Sequence, residues 1–350
     1  MAGTTPSYDK LAHAGGVAGV PGEGTGPDAA STVGRSTRTE PVIGVIRNPR
    51  SHLNSSREAA EEPVPGAIIR MPMKHGDLDE ILDDFAACKI DYLAIDGGDG
   101  TIRDVLTRGA RVFGARWPEI IILPSGKTNA LAYDLGLPAD WQLTEAAKAL
   151  GKGQRKSRSP LSIASRDGSG DEMRGFVLGG GVFTRAIALG QDAHRFGAFN
   201  AWVVGITAIW TLLQALFGGR GNAWRQGTRI RLADAKDDDV PHFGGGASDE
   251  RYLVFASTLV DLPAGLRPFH GVTDTLRVAV LDNASRRLLF RIPALFRGHR
   301  SDRTRELGAN AFGIDVLHFD TAADFILDGE AFPPGQYRIA PGPELTFVVP

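Results

Sequence analysis

The chain has 350 residues, of which 42% are hydrophobic and 23% are charged, and its formal net charge is -2 at pH 7. This composition is close to the average for soluble globular proteins, so it argues against a disordered chain and against a protein with many membrane spans. The small net charge argues against a protein that coats nucleic acid through its overall charge. The single cysteine, Cys88, excludes an internal disulfide and a cysteine-rich zinc site.

The start of the chain differs from the rest. Residues 1–40 are rich in small and polar side chains and contain almost no large apolar ones, which predicts a disordered tail. They also lack a cationic start followed by an apolar run, so we expect no secretory signal and a cytoplasmic protein. The remaining length fits two domains.

After the tail, the apolar residues alternate between strand and helix spacing. Val42–Ile46 is a β-branched run typical of a strand buried on both faces, and apolar residues at helical spacing predict a helix over Asp77–Cys88. Further strands are predicted at 92–95 and 120–123, and further helices at 101–106 and 129–135. This alternation predicts an α/β domain with a parallel sheet over residues 41–150.

From residue 151 onward, strand-like segments predominate. They lie at 175–179, 228–232, 252–258, 276–281, 324–327 and 345–349. Residues 234–250 are acidic and glycine-rich, and they predict a solvated hairpin loop. We therefore predict a β-rich second domain over residues 151–340.

A glycine-rich turn lies between the second predicted strand and the helix that follows it. Gly97, Gly98 and Gly100 let backbone amides approach an anion, and the helix dipole favours negative charge there. Asp99 would repel a bare phosphate, so it indicates a magnesium ion between the carboxylate and the phosphate oxygens, with Thr101 as a hydroxyl donor. The pattern alone fits equally an ordinary turn in which Asp99 or Thr101 caps the helix.

A second segment of this kind follows the next strand. Its Ser-Gly-Lys-Thr sequence suggests a P-loop. That motif needs a glycine five positions before Gly126, but the residue there is Ile121. Gly126, Lys127, Thr128 and Asn129 are therefore predicted to form a second helix start at the carboxyl edge of the sheet, where open α/β folds bind ligands. Lys127 would neutralise phosphate charge there, and the alternative is a solvated lysine.

Taken together, these motifs resemble the diacylglycerol kinase catalytic-domain family, which also contains sphingosine kinases, ceramide kinases and bacterial soluble lipid kinases. The resemblance covers about residues 41–350. The motifs that carry it, in the family's order and approximate spacing, are Asn48-Pro49, Gly97-Gly98-Asp99-Gly100-Thr101, Leu123-Pro124 with Gly126 and Asn129, and Asp328-Gly329-Glu330. The chain departs from the family at Lys127, where threonine is usual, and at Ala130, where aspartate is usual.

The resemblance implies a fold. It implies an α/β nucleotide-binding domain with a parallel sheet, followed by a mainly β sandwich domain that takes the lipid substrate. ATP would lie in the cleft between them, and the final strand, 341–350, would return to the first domain.

The resemblance also implies roles for individual residues. It implies that Asn48 belongs to the nucleotide site, that Asp328 accepts the proton of the lipid hydroxyl, and that Glu330 helps to position the metal or the base. The Asp328-Gly329 pair is by itself a strong hairpin turn signal, so the residues alone leave both interpretations open. Asp274 resembles the aspartate of a structural magnesium site, and the alternative is a turn cap.

Two further segments bear on contact with a lipid. Residues 198–217 carry no charge and predict either a helix packed in the second domain or a lid that dips into a membrane. Between Arg286 and Arg305, seven arginines are interleaved with apolar residues, a pattern that suits an anionic membrane surface. The alternatives are a solvated basic face and nucleic-acid binding, but no nucleic-acid motif accompanies the arginines.

We therefore expect a lipid kinase that uses ATP and magnesium to phosphorylate the primary hydroxyl of a two-chain lipid such as diacylglycerol or ceramide. We expect it to associate peripherally with the inner face of the membrane. One alternative is an NAD kinase, which shares a Gly-Gly-Asp-Gly turn. Another is a nucleotide-binding membrane adaptor without catalytic activity, which the altered second segment favours.

Overall fold

The computed structural model describes residues 40–51, 63–74, 76–186 and 222–350. The predicted tail, apart from residue 40, and the uncharged run 198–217 lie outside these residues. All the described residues belong to one compact unit, 40–350.

The first sheet has six strands, in the order β2-β1-β3-β4-β18-β5. Its strands are β1 (Ile43–Arg47), β2 (Ala67–Arg70), β3 (Tyr92–Gly97), β4 (Glu119–Pro124), β5 (Gln154–Arg158) and β18 (Leu345–Val349). All neighbours run parallel except β5, which is antiparallel to β18. The last strand of the described chain therefore lies inside the first sheet, between β4 and β5.

Four helices accompany this sheet: α1 (Asp77–Ala87), α2 (Asp99–Phe113), α3 (Ala130–Leu135) and α4 (Leu143–Ala149). Phe85 of α1 and Leu106 of α2 share a hydrophobic core with Ile95 of β3. On the other face, Leu143 of α4 packs in a core with Val45 of β1. Because both faces are covered, the central strands are continuous apolar runs rather than alternating ones.

Two antiparallel sheets of six strands each form the rest of the described chain. The second sheet has the order β10-β9-β14-β17-β6-β7. Its strands are β6 (Leu161–Ser165), β7 (Met173–Gly175), β9 (Thr228–Ala233), β10 (Glu250–Arg251), β14 (Leu317–Thr321) and β17 (Gly335–Pro341). The third sheet has the order β13-β12-β11-β8-β15-β16. Its strands are β8 (Val177–Gly181), β11 (Leu253–Ser257), β12 (Arg277–Leu281), β13 (Ala309–Gly313), β15 (Phe325–Leu327) and β16 (Glu330–Phe332).

These two sheets share one hydrophobic core. Phe319 of β14 and Ile339 of β17 lie in it together with Leu178 of β8 and Val254 of β11. Residues 234–250 connect the antiparallel pair β9 and β10, as the acidic, glycine-rich composition predicted. The strand content agrees with the predicted α/β part followed by a mainly β part.

The arginine-rich segment 286–305 forms three short helices: α5 (Arg286–Leu289), α6 (Ile292–Phe296) and α7 (Asp302–Glu306). Most of its apolar residues are not available to insert into a membrane. Leu288, Leu289 and Leu295 are buried in the core, while Phe290 is 64% exposed. Six of the seven arginines are exposed, because the apolar residues between them pack inward. The described residues also include two 3-10 turns, Ala223–Arg225 and Pro263–Gly265.

Candidate functional site

The carboxyl ends of three neighbouring parallel strands bring the predicted nucleotide-site residues to one edge of the first sheet. Asn48 follows β1, the Gly97–Thr101 turn follows β3, and the 125–129 segment follows β4. Asn48 Nδ2 donates a hydrogen bond of 2.8 Å to Thr101 Oγ1, which joins the first of these segments to the second.

The glycine turn begins the 15-residue helix α2. Its N-cap, Gly98, has extended backbone, and no side chain caps the helix. The alternative in which Asp99 or Thr101 serves as the cap is therefore not seen. The first amides of the helix are left for another acceptor, and the helix dipole places partial positive charge beside them.

The two glycine segments touch through their backbones. A Cβ atom on Gly126 would lie 2.5 Å from Gly98 Cα, closer than any real side chain allows. The Asn129 side chain holds the second segment in place, because its Oδ1 accepts from Gly126 N at 2.9 Å and its Nδ2 donates to Gly126 O at 2.9 Å. Glycine at 126 is thus required by the close approach of the two turns.

Asp99 bridges the two segments from the first turn of α2. Its Oδ1 accepts a weak hydrogen bond of 3.4 Å from Leu131 N at the start of α3. Burial raises the pKa of the Asp99 carboxyl above its ordinary value, and hydrogen bonds from the backbone at Ala130 and Leu131 oppose that shift.

Asp328 lies at the tip of the hairpin formed by β15 and β16. Leu327 pairs with Glu330 across it, and both turn residues have positive φ, 47° for Asp328 and 87° for Gly329. This is the geometry of a tight two-residue hairpin, so the hairpin interpretation of Asp-Gly is correct. It does not exclude a chemical role, because the turn directs the aspartate toward the first sheet.

The Asp328 carboxylate is held by two backbone amides. Its Oδ2 accepts from Phe176 N at 3.0 Å, and its Oδ1 accepts from Val177 N at 2.9 Å. Burial, together with the negative charge of Asp99, raises the pKa of Asp328 from 3.8 to about 7. The two backbone amides and the Arg103 guanidinium oppose this shift. The aspartate of the glycine turn is therefore close enough to act electrostatically on the aspartate of the hairpin.

Arg103, one turn along α2 from Asp99, joins the hairpin to the helix. Its guanidinium pairs with Asp104 at 2.7 Å and with Glu330, and it donates to Leu327 O at 3.3 Å. The side chain is only 5% exposed and lies 5.5 Å from the centre of the Phe332 ring. This residue was not predicted from the sequence, because an arginine in an amphipathic helix gives no signal of a contact with residues more than 200 positions away.

An open cleft of about 780 Å³ lies over these residues. Its lining residues are Asn48, Arg50, Ser51, Gly98, Gly100, Thr101, Arg103, Asp104, Gly126, Lys127 and Glu330. Seven of these were predicted as site residues from the sequence, and Arg50, Ser51, Arg103 and Asp104 were not. Arg103 is paired with the acidic lining residues Asp104 and Glu330, so the positive charge that suits a polyphosphate comes from Arg50 and Lys127.

The other predicted residues lie in or around this framework, with one exception. Gly97 supports the turn, since a Cβ there would meet the Thr101 side chain at 2.5 Å. Thr128 is exposed beside the cleft. Asp274, in contrast, lies just before β12, with its carboxyl against Gly313 of β13, and does not line the cleft.

The described residues contain no group of three or more His, Cys, Asp and Glu side chains that could hold a metal ion by themselves. A magnesium ion at Asp99 would therefore need phosphate oxygens and water as its other ligands. Within the described residues, no helix has the length and apolar character needed to cross a bilayer.

Comparisons with known proteins bear on this site. Residues 42–162 match the family model described as the diacylglycerol kinase catalytic domain. A search of curated proteins gives no match.

Similar solved structures come from Bacillus anthracis strain Sterne. Two are provisionally described as diacylglycerol kinases, with TM-scores of 0.62 and 0.59, and a third is described as a diacylglycerol kinase, with a TM-score of 0.55. Each is 17% identical to this chain, and each alignment covers 88% of this chain and 97% of the other. At this identity the likeness concerns the fold. The resemblance predicted from the sequence is thus confirmed, with residues 42–162 matching the diacylglycerol kinase catalytic domain.

Proposed function

We propose that the protein is an ATP-dependent lipid kinase that transfers the γ-phosphate to the primary hydroxyl of a two-chain lipid such as diacylglycerol or ceramide. One observation carries the proposal: the Asp328 hairpin meets the glycine turn at one cleft, which Glu330 of the hairpin lines together with Gly98 and Thr101 of the turn. The family match at residues 42–162 supports this class of reaction over an NAD kinase.

In this proposal, the nucleotide phosphates lie against the uncapped start of α2. The amides of the first turn donate to phosphate oxygens, while Lys127 and Arg50 offset negative charge from the cleft walls. Thr101 is held by Asn48, so its hydroxyl has a fixed position beside the phosphates. Positioning of this kind supplies most of the catalysis in phosphoryl transfer.

Asp99 and Asp328 fit a magnesium ion, because burial and the charge of Asp99 both raise the pKa of Asp328, and a cation beside the two carboxylates would relieve that repulsion. Asp99 would hold the ion directly. The bound ion would neutralise charge on the phosphates during transfer.

Asp328 acts as the general base. The proton of the lipid hydroxyl passes to a carboxylate oxygen of Asp328 as the hydroxyl oxygen forms its bond to the γ-phosphorus. The bond between that phosphorus and the β–γ bridging oxygen breaks, and ADP leaves. Glu330 and Arg103 act as positioning residues, since their ion pair ties the Asp328 hairpin to α2.

In the proposed function, the exposed arginines of segment 286–305 contact the membrane. Six of them, 286, 287, 291, 297, 303 and 305, are exposed. Arginines near an anionic surface contribute about 1 kcal/mol each. In this proposal, the protein associates peripherally with the inner face of the membrane through these charges.

The test is transfer of labelled phosphate from ATP to diacylglycerol, ceramide, a sphingoid base and NAD in mixed micelles. We expect one lipid to be labelled, and we expect Asp328→Asn to abolish the signal. Labelling of NAD alone would refute the lipid assignment. Nucleotide binding without transfer to any acceptor would support the alternative of an adaptor without catalytic activity.

A further inference from the structure

A second pocket, of about 280 Å³, lies between Tyr133 of α3 and the loop that joins β11 to β12. None of its lining residues belongs to the first cleft. It has two cationic side chains, Arg267 and Arg277, and one acidic side chain, Asp261. The pocket therefore has an excess of positive charge, which favours an anionic ligand.

Arg277 is an unusual component of this pocket. It is only 9% exposed, and it forms no ion pair with any other described residue. Its guanidinium lies 5.5 Å from the Phe269 ring centre and donates to Leu259 O, while its buried Nε has no hydrogen-bond partner within the described part of the chain. Burial lowers the pKa of Arg277, and the nearby carboxylates of Asp134 and Asp261 only partly offset this shift, so an anion in the pocket would reduce the cost of burying the guanidinium.

The rim of this pocket is apolar and exposed. Tyr133 is 50% exposed, Val260 58% and Leu266 39%. Across the described residues, seven large hydrophobic side chains are exposed, and three of them surround this one pocket. Grouped exposed apolar side chains mark a contact surface rather than scattered surface residues.

The pocket is continuous with the arginine-rich surface. The β11–β12 loop is fastened to α6, because Arg267 N donates to Phe296 O at 2.7 Å and Arg300 donates to Pro268 O. None of the six exposed arginines of segment 286–305 forms an ion pair with another described residue. An apolar rim, a cationic pocket and unneutralised arginines therefore lie along one connected stretch of structure.

We propose that this second pocket binds the phosphate head group of an anionic phospholipid while the molecule is still in its bilayer. Arg277 and Arg267 would receive the phosphate, and the apolar rim would enter the interface between head groups and acyl chains. Charge complementarity selects this partner, since a cationic pocket with an apolar rim matches an acidic head group attached to acyl chains.

This site is structurally linked to the proposed base. Ser257, the last residue of β11, donates from its hydroxyl to Phe176 O at 2.8 Å, and Phe176 N donates to the Asp328 carboxylate. The pocket loop starts directly after Ser257. Docking of the pocket on a bilayer would thus hold the base-bearing side of the cleft at the lipid surface, a consequence that rests on the proposed function.

The test measures binding of the full-length protein to vesicles without nucleotide, so that it does not depend on kinase activity. Vesicles of phosphatidylcholine alone are compared with vesicles in which about 30% is phosphatidylglycerol, an anionic lipid. The variants are Arg267→Gln and Val260→Asp, both at exposed positions where misfolding is not expected. The controls are Arg229→Gln, 75% exposed on β9, and Met73→Asp, 65% exposed near β2.

We expect the parent protein to bind the anionic vesicles preferentially. Arg267→Gln should weaken that binding about fivefold and Val260→Asp about tenfold, while both controls bind like the parent. Equal binding by the parent and both variants would overturn the proposal, as would equal loss in the variants and the controls.

A second arm separates a lipid head group from free phosphate. Inorganic phosphate is titrated into the parent protein and the Arg267→Gln variant, and heat is measured by calorimetry. Tight binding of inorganic phosphate together with no binding to anionic vesicles would refute the proposal that the bound phosphate group belongs to a lipid in a bilayer. A protein that binds vesicles through this pocket but labels no lipid in the kinase assay would refute only the proposed function.

Discussion

Replacement of Asp328 by asparagine tests the proposed base directly. Asparagine tolerates the positive φ of 47° at this position and keeps one oxygen that can accept from the amides of Phe176 and Val177. It cannot accept the proton of the acceptor hydroxyl. The substitution therefore removes the chemistry while leaving the hairpin nearly intact.

The expected kinetic effect is large. A positioned general base contributes roughly a factor of 10² to 10⁴, so kcat should fall within that range. Nucleotide affinity should stay within about threefold of the parent, because the nucleotide contacts come from the glycine turn. Phosphate transfer to diacylglycerol and equilibrium binding of a fluorescent ATP analogue measure the two quantities separately.

The same substitution has a predicted effect on stability. The carboxyl of Asp328 has a pKa raised from 3.8 to about 7. Its contribution to stability is therefore fully present below about pH 4 and is lost as the pH rises through about 7. A shift of this size corresponds to at most about 4 kcal/mol. Residual solvent exposure and the weaker contacts of asparagine reduce the expected gain to about 1–2 kcal/mol.

Asp328→Asn should thus be more stable than the parent at pH 8, and the difference should shrink toward pH 5. Urea unfolding at both pH values, in the absence of magnesium, measures this. Turnover within threefold of the parent would refute the base assignment. A stability difference independent of pH would refute the claim that an ionised Asp328 is destabilising in the folded protein.

Three further predictions follow from contacts around the site. Gly126→Ala should abolish nucleotide binding in a calorimetric titration, because its Cβ would lie 2.5 Å from Gly98 Cα and force the two turns apart. Arg103→Gln should lower kcat by about tenfold with little change in nucleotide affinity, since it releases the hairpin from α2 and not the phosphate contacts; unchanged steady-state kinetics would contradict this. Asp134→Asn should destabilise the protein by about 2–4 kcal/mol in urea unfolding, because the fully buried carboxylate pairs with Arg158.

The α/β part of the fold was predictable because its elements carry local signals. Val42–Ile46 and Ile120–Leu123 are apolar runs buried on both faces, and α1 has apolar residues at helical spacing. The strand β5, Gln154–Arg158, gave no such signal, since its sequence is entirely polar. It forms because β18 offers it a partner from the far end of the sequence, and its Arg155 and Arg158 pair with carboxylates.

The same distinction between local signals and distant contacts applies to the residues of the candidate site. Residues that follow a strand within a glycine-rich motif were predicted, since a short motif contains all the information needed to place them. Arg103 and Ser51 were missed, because their partners, Glu330 and Ser125, are distant in sequence. The orientation of segment 286–305 was not predicted either, since three short helices turn its leucines inward in a way that no single periodicity indicates.

The position of β18 affects how the chain can fold during synthesis. Phe347 of β18 pairs with Ile120 of β4, so the first sheet stays incomplete until more than 220 further residues have left the ribosome. Until then β4 has an unpaired edge, and such edges are prone to pairing with other chains. Contacts this distant in sequence also slow folding. Residues 42–162, although they match a family model as a unit, should therefore aggregate when expressed alone.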